Sequence, residues 1–344
     1  MELSAERLTV SMPYPRFAEG LAERLSLSES ERVRVVAWSF KDDGPYDADG
    51  TAVDPAQIDL VVLPFHSTAR ETTEQYASTH VLGEELARAT GARVVQAPSI
   101  GIEGLPECVP AHAALCNAVG VMERPTAELA VTLLLAGLRE LPGFLASGSQ
   151  WDNHRTTGLV GSRVLVVGHG GVGSAVGRML AGFDADVVPV ASRPRIEPDG
   201  TRVHGIAELP ELLPSAHAVV CTLPLTEGTA HLFDAAALAR LRDGAVFVNV
   251  GRGGVVDTDA LLAEAETGRI AALLDVTDPE PLPPSHALWS LPNVVITPHV
   301  GGNSDASHRF QYELLAEQVR RLLAGDEPRN VVRPAAHPPV APAP

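Results

Sequence analysis

The chain has 344 residues, of which 45% are hydrophobic and 20% charged, the composition of a soluble protein with room for two domains. A formal net charge of −17 repels phosphate backbones and anionic lipid, which argues against nucleic acid and membrane as partners. The three cysteines, Cys108, Cys116 and Cys221, show no paired spacing, so neither a disulfide framework nor a metal site is expected.

The amino terminus "MELSAERLTV" has an early acid and no apolar core, unlike a secretory signal. The longest apolar run, "LAVTLLLAGL", is too short to span a bilayer, and the cytoplasm is the expected location. In the first third, "LTVSM", "RVRVVAW", "IDLVVLPF", "ARVVQAPS" and "AALCNA" read as strands, with helices such as "AEGLAERL" and "GEELARAT" between them. That alternation predicts a parallel α/β sheet. Phe65 and His66, at the end of the third strand, read first as structural residues and second as lining of a substrate cleft. A helix is predicted over 126–145, apolar nearly all round and therefore buried on several sides. Trp151 and Trp289 are expected to be packing residues.

A second α/β series follows. "SRVLVVG" is a buried strand, then come a helix through "GSAVGRMLAGF" and strands at "ADVVPVA", "AVVCTLP", "GAVFVNV", "AALLDV" and "NVVITPH". "DTDALLAEAETGRI" is a helix with Asp257 or Thr258 as its cap. A long amphipathic helix is predicted over 304–323, and the Pro/Ala-rich tail 334–344 is expected to be disordered.

"GHGGVG" directly follows an apolar strand and opens a helix, the context that a dinucleotide-binding turn needs. Gly168 permits the tight turn, Gly170 lets a pyrophosphate approach the backbone, and Gly173 lets helix and strand pack closely. The amides at the helix start, in the turn that also holds Gly171 and Val172, face the phosphates. About 20 residues on, an acid usually accepts bonds from the ribose hydroxyls. The strand "VVPVASRPR" has none there and offers Ser192 and Arg193, with Arg195 close behind. Removing the carboxylate removes repulsion against a 2′-phosphate, and Ser and Arg supply donors to it, so NADP(H) is expected over NAD(H). Exposed loop arginines are the plainer alternative.

Three more segments carry chemistry, each just past a strand: "NVGRGGVVD" with Arg252, "LDVTDPEPLP" with Asp275, Asp278 and Glu280, and "ITPHVGG" with His299. In an open α/β sheet ligands bind beyond the carboxyl ends of strands, so these residues are expected to converge.

Together with "GHGGVG", and in that order, these segments resemble the D-isomer-specific 2-hydroxyacid dehydrogenase family, which includes glyoxylate/hydroxypyruvate reductases and phosphoglycerate dehydrogenases. The resemblance runs from about "VVQAPSIGIEGL" to "PRNVVRP"; the first ninety or so residues match only in pattern. It implies an α/β fold of two doubly wound parallel-sheet domains. A Rossmann nucleotide domain, 126–303, is inserted in a flavodoxin-like substrate domain, 1–125 with 304–333. It also implies a homodimer buried in part by the helix after Pro125.

The implied reaction is hydride transfer between NADP(H) and a small 2-oxo or D-2-hydroxy acid, expected in the reductive direction on a glyoxylate- or hydroxypyruvate-like substrate. Arg252 clamps the substrate carboxylate, and His299 gives a proton to the keto oxygen. An acid paired with His299 keeps it protonated; placed three positions after Asp275 it is Asp278, with Glu280 as the other candidate. By the same matching Asp275, Thr222, Leu223, Pro224, Thr229, Val250, Gly251 and Gly301 are cofactor neighbours. Ile100 and Gly101, in "SIGIEG", are substrate-binding candidates through their backbone amides. An NAD-dependent phosphoglycerate-type dehydrogenase, or a nucleotide-sensing binding protein on the same fold, stands as the alternative.

Overall fold

The computed structural model describes residues 7–13, 15–40, 44–64, 79–102 and 104–336; Phe65, His66 and the tail from residue 337 lie outside them. The chain divides into two compact units, Met1–Met122 with Ser304–Pro344, and Glu123–Asn303. In the first unit β1 (Leu8–Met12), β2 (Val33–Ala37), β3 (Leu60–Val62), β4 (Val94–Gln96) and β5 (Ala114–Cys116) form a parallel sheet in the order β2-β1-β3-β4-β5. This is the flavodoxin-like order. Every residue of β1 is buried, as both faces of such a sheet are covered, by helices that include Pro15–Ala22 and Thr79–Arg88.

The second unit opens with a helix over Glu123–Leu138, not 126–145. It starts earlier because Pro125 is tolerated in a first turn. It ends earlier because the chain turns left-handed at Glu140 (φ 52°) and restarts as Leu141–Ala146, where the ring and missing N–H of Pro142 prevent an unbroken helix. Eight strands follow: β6 (Arg163–Val167), β7 (Asp186–Ala191), β8 (Arg195–Ile196), β9 (Arg202–Gly205), β10 (Ala218–Cys221), β11 (Ala245–Asn249), β12 (Ile270–Leu274) and β13 (Val294–Ile296). Their order is β13-β12-β11-β10-β6-β7-β9-β8.

The period of two along β6 explains why this sheet is buried on both faces. Leu165 and Val167 enter a core with Phe233 and Phe247, while Val164 and Val166 enter another with Leu134 and Val176. The strand order reverses between β6 and β10, the switch point where dinucleotide sites form.

Two short antiparallel edges are added to the parallel sheets that the sequence predicts. The short β8 pairs antiparallel with β9 through a turn at Asp199-Gly200, where Gly200 has φ 87°. The Asp-Gly pair is a hairpin signal present in the sequence. The chain then returns to the first unit through the helix Asp305–Ala324, ended by left-handed Gly325, and β14 (Val331–Arg333) adds antiparallel to β5. Arg333 fastens that edge by donating to the carbonyls of Pro106, Val109, Pro110 and Ala113 at 2.7–3.0 Å. Among the described residues no helix is long and apolar enough to cross a membrane.

Candidate active site

The glycine turn sits at the switch point of the second unit. Gly168 has φ 112°, and a Cβ there would lie 2.7 Å from the Thr222 hydroxyl, which itself donates to the Gly168 carbonyl at 2.6 Å. A Cβ on Gly173 would lie 2.1 Å from that same carbonyl, so helix and strand pack as closely as the sequence implied. Gly170, the N-cap of the helix Gly171–Leu180, makes no side-chain cap bond, and the space its Cβ would occupy is open. The first amides of that helix, those of Gly171, Val172 and Gly173, are not used by the helix itself and suit a pyrophosphate. The Glu123 side chain packs against Gly171, its Cγ 2.6 Å from where a Cβ there would be.

At the end of β7, Ser192, Arg193 and Pro194 are exposed, and Arg193 has no hydrogen bond or ion pair among the described residues. Arg195 is not in a loop but in β8, and it is engaged. Its Nε donates to Glu197 Oε1 at 2.8 Å, and its Nη2 donates to the His169 carbonyl, inside the glycine turn, at 3.3 Å. Neither Glu197 nor His169 was singled out from the sequence. Burial, then the charge of Arg195, lowers the pKa of His169, with the Glu197 charge opposing.

At the ends of β11, β12 and β13, Arg252, Glu280 and His299 come together. Asn249 is buried in a strand of apolar residues; its Oδ1 accepts from the Gly251 amide at 3.0 Å and its Nδ2 donates to the Arg252 carbonyl at 3.1 Å. This fixes the turn that carries Arg252. A Cβ on Gly253 would stand 1.9 Å from the Thr277 carbonyl oxygen, so the Arg252 turn and the loop after β12 can meet only through glycine.

His299 Nδ1 lies 2.6 Å from Glu280 Oε1, which leaves Nε2 for a reacting group. The bond to Glu280 raises the pKa of His299, with burial opposing, and the Arg252 charge is close enough to oppose protonation too. The same bond, and the charges of His299 and Arg252, lower Glu280 against its burial. The pair favours the protonated imidazole against the carboxylate, with a guanidinium nearby.

The assignment of Asp278 as the partner of His299 is corrected. Its carboxylate sits 3.3 Å from where a Cβ on Gly254 would be, and its carbonyl accepts from Thr258 at 2.7 Å. The loop bends after it, with Thr277 Oγ1 donating to the Pro279 carbonyl at 2.9 Å, and presents Glu280 to the histidine.

Asp275 is 1% exposed and accepts from Thr297 Oγ1, Val300 N and Gly301 N at 2.5, 2.9 and 2.8 Å. It organises the loop that carries His299, whose backbone is left-handed (φ 53°) and whose amide donates to the Asp275 carbonyl at 2.9 Å.

Leu223 and Val250 are buried at the sheet end, and Gly251 packs against the backbone of Thr222 and Leu223. Thr229 closes the loop after β10 by donating to the Pro224 carbonyl at 2.6 Å, so its hydroxyl shapes that loop from behind. In the first unit, Asn117 Nδ2 holds the Ile100 carbonyl at 3.0 Å and Ser99 Oγ the Gly101 carbonyl at 2.6 Å. Trp151 is 95% exposed, not a packing residue; Trp289 is half exposed, with its Nε1 donating to the Pro283 carbonyl at 3.1 Å.

The family model described as "D-isomer specific 2-hydroxyacid dehydrogenase, NAD binding domain" matches residues 131–301. The chain is 34% identical over 261 residues to the glyoxylate reductase/hydroxypyruvate reductase of Homo sapiens, covering 72% of this chain and 78% of that one. It is 37% identical over 264 residues to the D-3-phosphoglycerate dehydrogenase of Mycobacterium bovis, 73% of this chain but only 48% of that one. A D-isomer specific 2-hydroxyacid dehydrogenase from Xanthobacter autotrophicus Py2, solved in complex with NADPH and MES, superposes with TM-score 0.73 over 95% of this chain and 98% of that one, at 27% identity.

Proposed function

The chain belongs to the D-isomer specific 2-hydroxyacid dehydrogenase family and is an NAD(P)-binding oxidoreductase, and from that premise we propose that it reduces a small 2-oxo acid to the D-2-hydroxy acid with NADPH. The observation that carries this reading is the His299–Glu280 pair at 2.6 Å beside Arg252. When bound, the reduced nicotinamide supplies the hydride to the carbonyl carbon. Arg252 matches the substrate carboxylate with its planar fork and draws electron density toward the keto oxygen. His299 gives that oxygen a proton from Nε2, and Glu280 at Nδ1 keeps the imidazole charged until it does. Asp275 and Asn249 hold the two turns in place. Ile100 and Gly101, with their carbonyls already fastened, are the first unit's candidates for substrate binding through their amides.

Cofactor choice rests on Ser192 and Arg193 in place of an acid, supported by a relative solved with NADPH. The phosphoglycerate-type, NAD-linked reading is favoured by one observation, the carboxylate of Glu197 at the same end. A homodimer is our reading of the segment after the first helix of the second unit. There Leu145, 82% exposed, and Trp151 offer apolar area that a second copy would cover. Three free cysteines suit a reducing cytoplasm.

Oxidation of NADPH and of NADH with glyoxylate, hydroxypyruvate and pyruvate tests the whole. Turnover with at least one acid, faster with NADPH, is expected. Tight cofactor binding without any turnover would instead identify a nucleotide sensor.

A further inference from the structure

The hairpin β8–β9 brings back to the nucleotide site an acid that β7 lacks. We propose that Glu197 is a specificity-determining residue that restrains Arg195 and so limits the preference for NADPH; this rests on the cofactor reading above. The guanidinium of Arg195 is committed on two sides, to Glu197 Oε1 at 2.8 Å and to the His169 carbonyl at 3.3 Å. Glu197 Oε1 is also 4.0 Å from His169 Nε2, and the buried His169 Nδ1 has no hydrogen-bond partner among the described residues. The three side chains form one cluster against the glycine turn, with the positive charge of Arg195 cancelled.

Arg193 is therefore the open cation at the strand end, while Arg195 is a compensated one. A phosphate monoester carries close to two negative charges near neutrality. It must draw Arg195 away from Glu197 or tolerate the carboxylate beside it, and both cost affinity. A dinucleotide with a free 2′-hydroxyl meets no such opposition, since a carboxylate can accept from it. Both effects have the same sign: Glu197 favours NADH relative to NADPH. The side chain is separable from the fold, because the hairpin turn is closed by backbone bonds from Glu197 to Thr201 and from Gly200 to Glu197, each 2.9 Å.

The test is the ratio of kcat/KM for NADPH to that for NADH in the whole protein, in wild type, Glu197→Gln, Arg195→Ala and the double variant. Glu197→Gln is expected to raise the ratio about tenfold, the scale of removing one charge near a phosphate at a protein surface. In the Arg195→Ala background the same change is expected to act more weakly, about threefold, since the restraint on Arg195 is gone and only the direct effect of the carboxylate on the ribose end remains. An unchanged or lower ratio in Glu197→Gln overturns the proposal, and so does an equal rise without Arg195. Arg193→Ala in the same assay separates this from the premise: if that variant keeps the wild-type ratio, the cofactor reading itself fails, whichever way Glu197→Gln moves.

Discussion

The two ends of the second unit's sheet use the same structural device, loops at strand carboxyl ends, and finish them differently. At the ends of β11, β12 and β13, polar backbone and side chains are tied to one another: Asn249 binds the Arg252 turn twice, Asp275 accepts three bonds, and His299 is held in a left-handed conformation. At the end of β7, Ser192, Arg193 and Pro194 lie exposed, and Arg193 is bound to nothing among the described residues. Acid–base chemistry needs atoms held within a few tenths of an ångström, which an over-determined backbone supplies. Choosing between two cofactors needs only charge in the right neighbourhood, which exposed side chains supply at no cost to folding. Changes at the first end should therefore cost rate or stability with either cofactor, and changes at the second should move only their ratio.

His299→Ala is the largest expected effect. Losing the proposed proton donor should lower kcat about a thousandfold, equally with NADPH and NADH. A loss confined to one cofactor would break the comparison. Next comes a pair of glycines. Gly253→Ala puts a methyl 1.9 Å from a backbone oxygen and should cost about 3 kcal/mol in a denaturant melt. Gly170→Ala puts it in open space and should change stability by less than about 1 kcal/mol, while raising KM for both dinucleotides. Comparable melting curves for the two variants would show that the glycine turns are not the rigid and open elements described.

The same contrast explains what was legible in the sequence. The strands of the sheets were readable because both faces are buried and each strand is a short apolar run between turn residues, as in "RVLVV" and "AVFVN". Arg252 and His299 were readable because each follows such a run. The partner of His299 was not, because it depends on how the Pro-rich loop after β12 folds; counting from Asp275 selects Asp278, whereas the bend set by Thr277 delivers Glu280. Glu197 was missed for a related reason. Its position depends on a two-residue strand whose pairing is set by Asp199-Gly200, and a two-residue strand has no periodicity to read. The break at Glu140 had a signal in Pro142, outweighed by the unbroken apolar pattern on either side.

Glu280→Gln tests the rigid end more gently. The bond to Glu280 is the leading cause that raises the pKa of His299, so the acid form persists to higher pH than in a free histidine. Reductive turnover requires that form. It should be sustained below the raised pKa and lost as the pH rises through it. With the carboxylate gone, the alkaline limb should move to lower pH and kcat at its plateau should fall about tenfold. Asp278→Asn should leave the limb where it is. Movement of the limb in Asp278→Asn, with none in Glu280→Gln, would return the pairing to the shorter acid.

Arg193→Ala should give the smallest effect and the sharpest test of the open end. The residue is exposed and contributes to no hydrogen bond or ion pair among the described residues, so the melting temperature should not change. The interaction we propose for it with a 2′-phosphate would be solvent-screened, which places it at the lower end of charge-assisted bonds and predicts about a fivefold rise in KM for NADPH. KM for NADH should move by less than about twofold, because a ribose hydroxyl gives the guanidinium no charge to meet. Raising the ionic strength should weaken NADPH binding in the wild type and much less in the variant, since the screened interaction is the one removed. Equal changes in KM for the two cofactors would make Arg193 an ordinary exposed arginine and overturn the NADPH reading that rests on it.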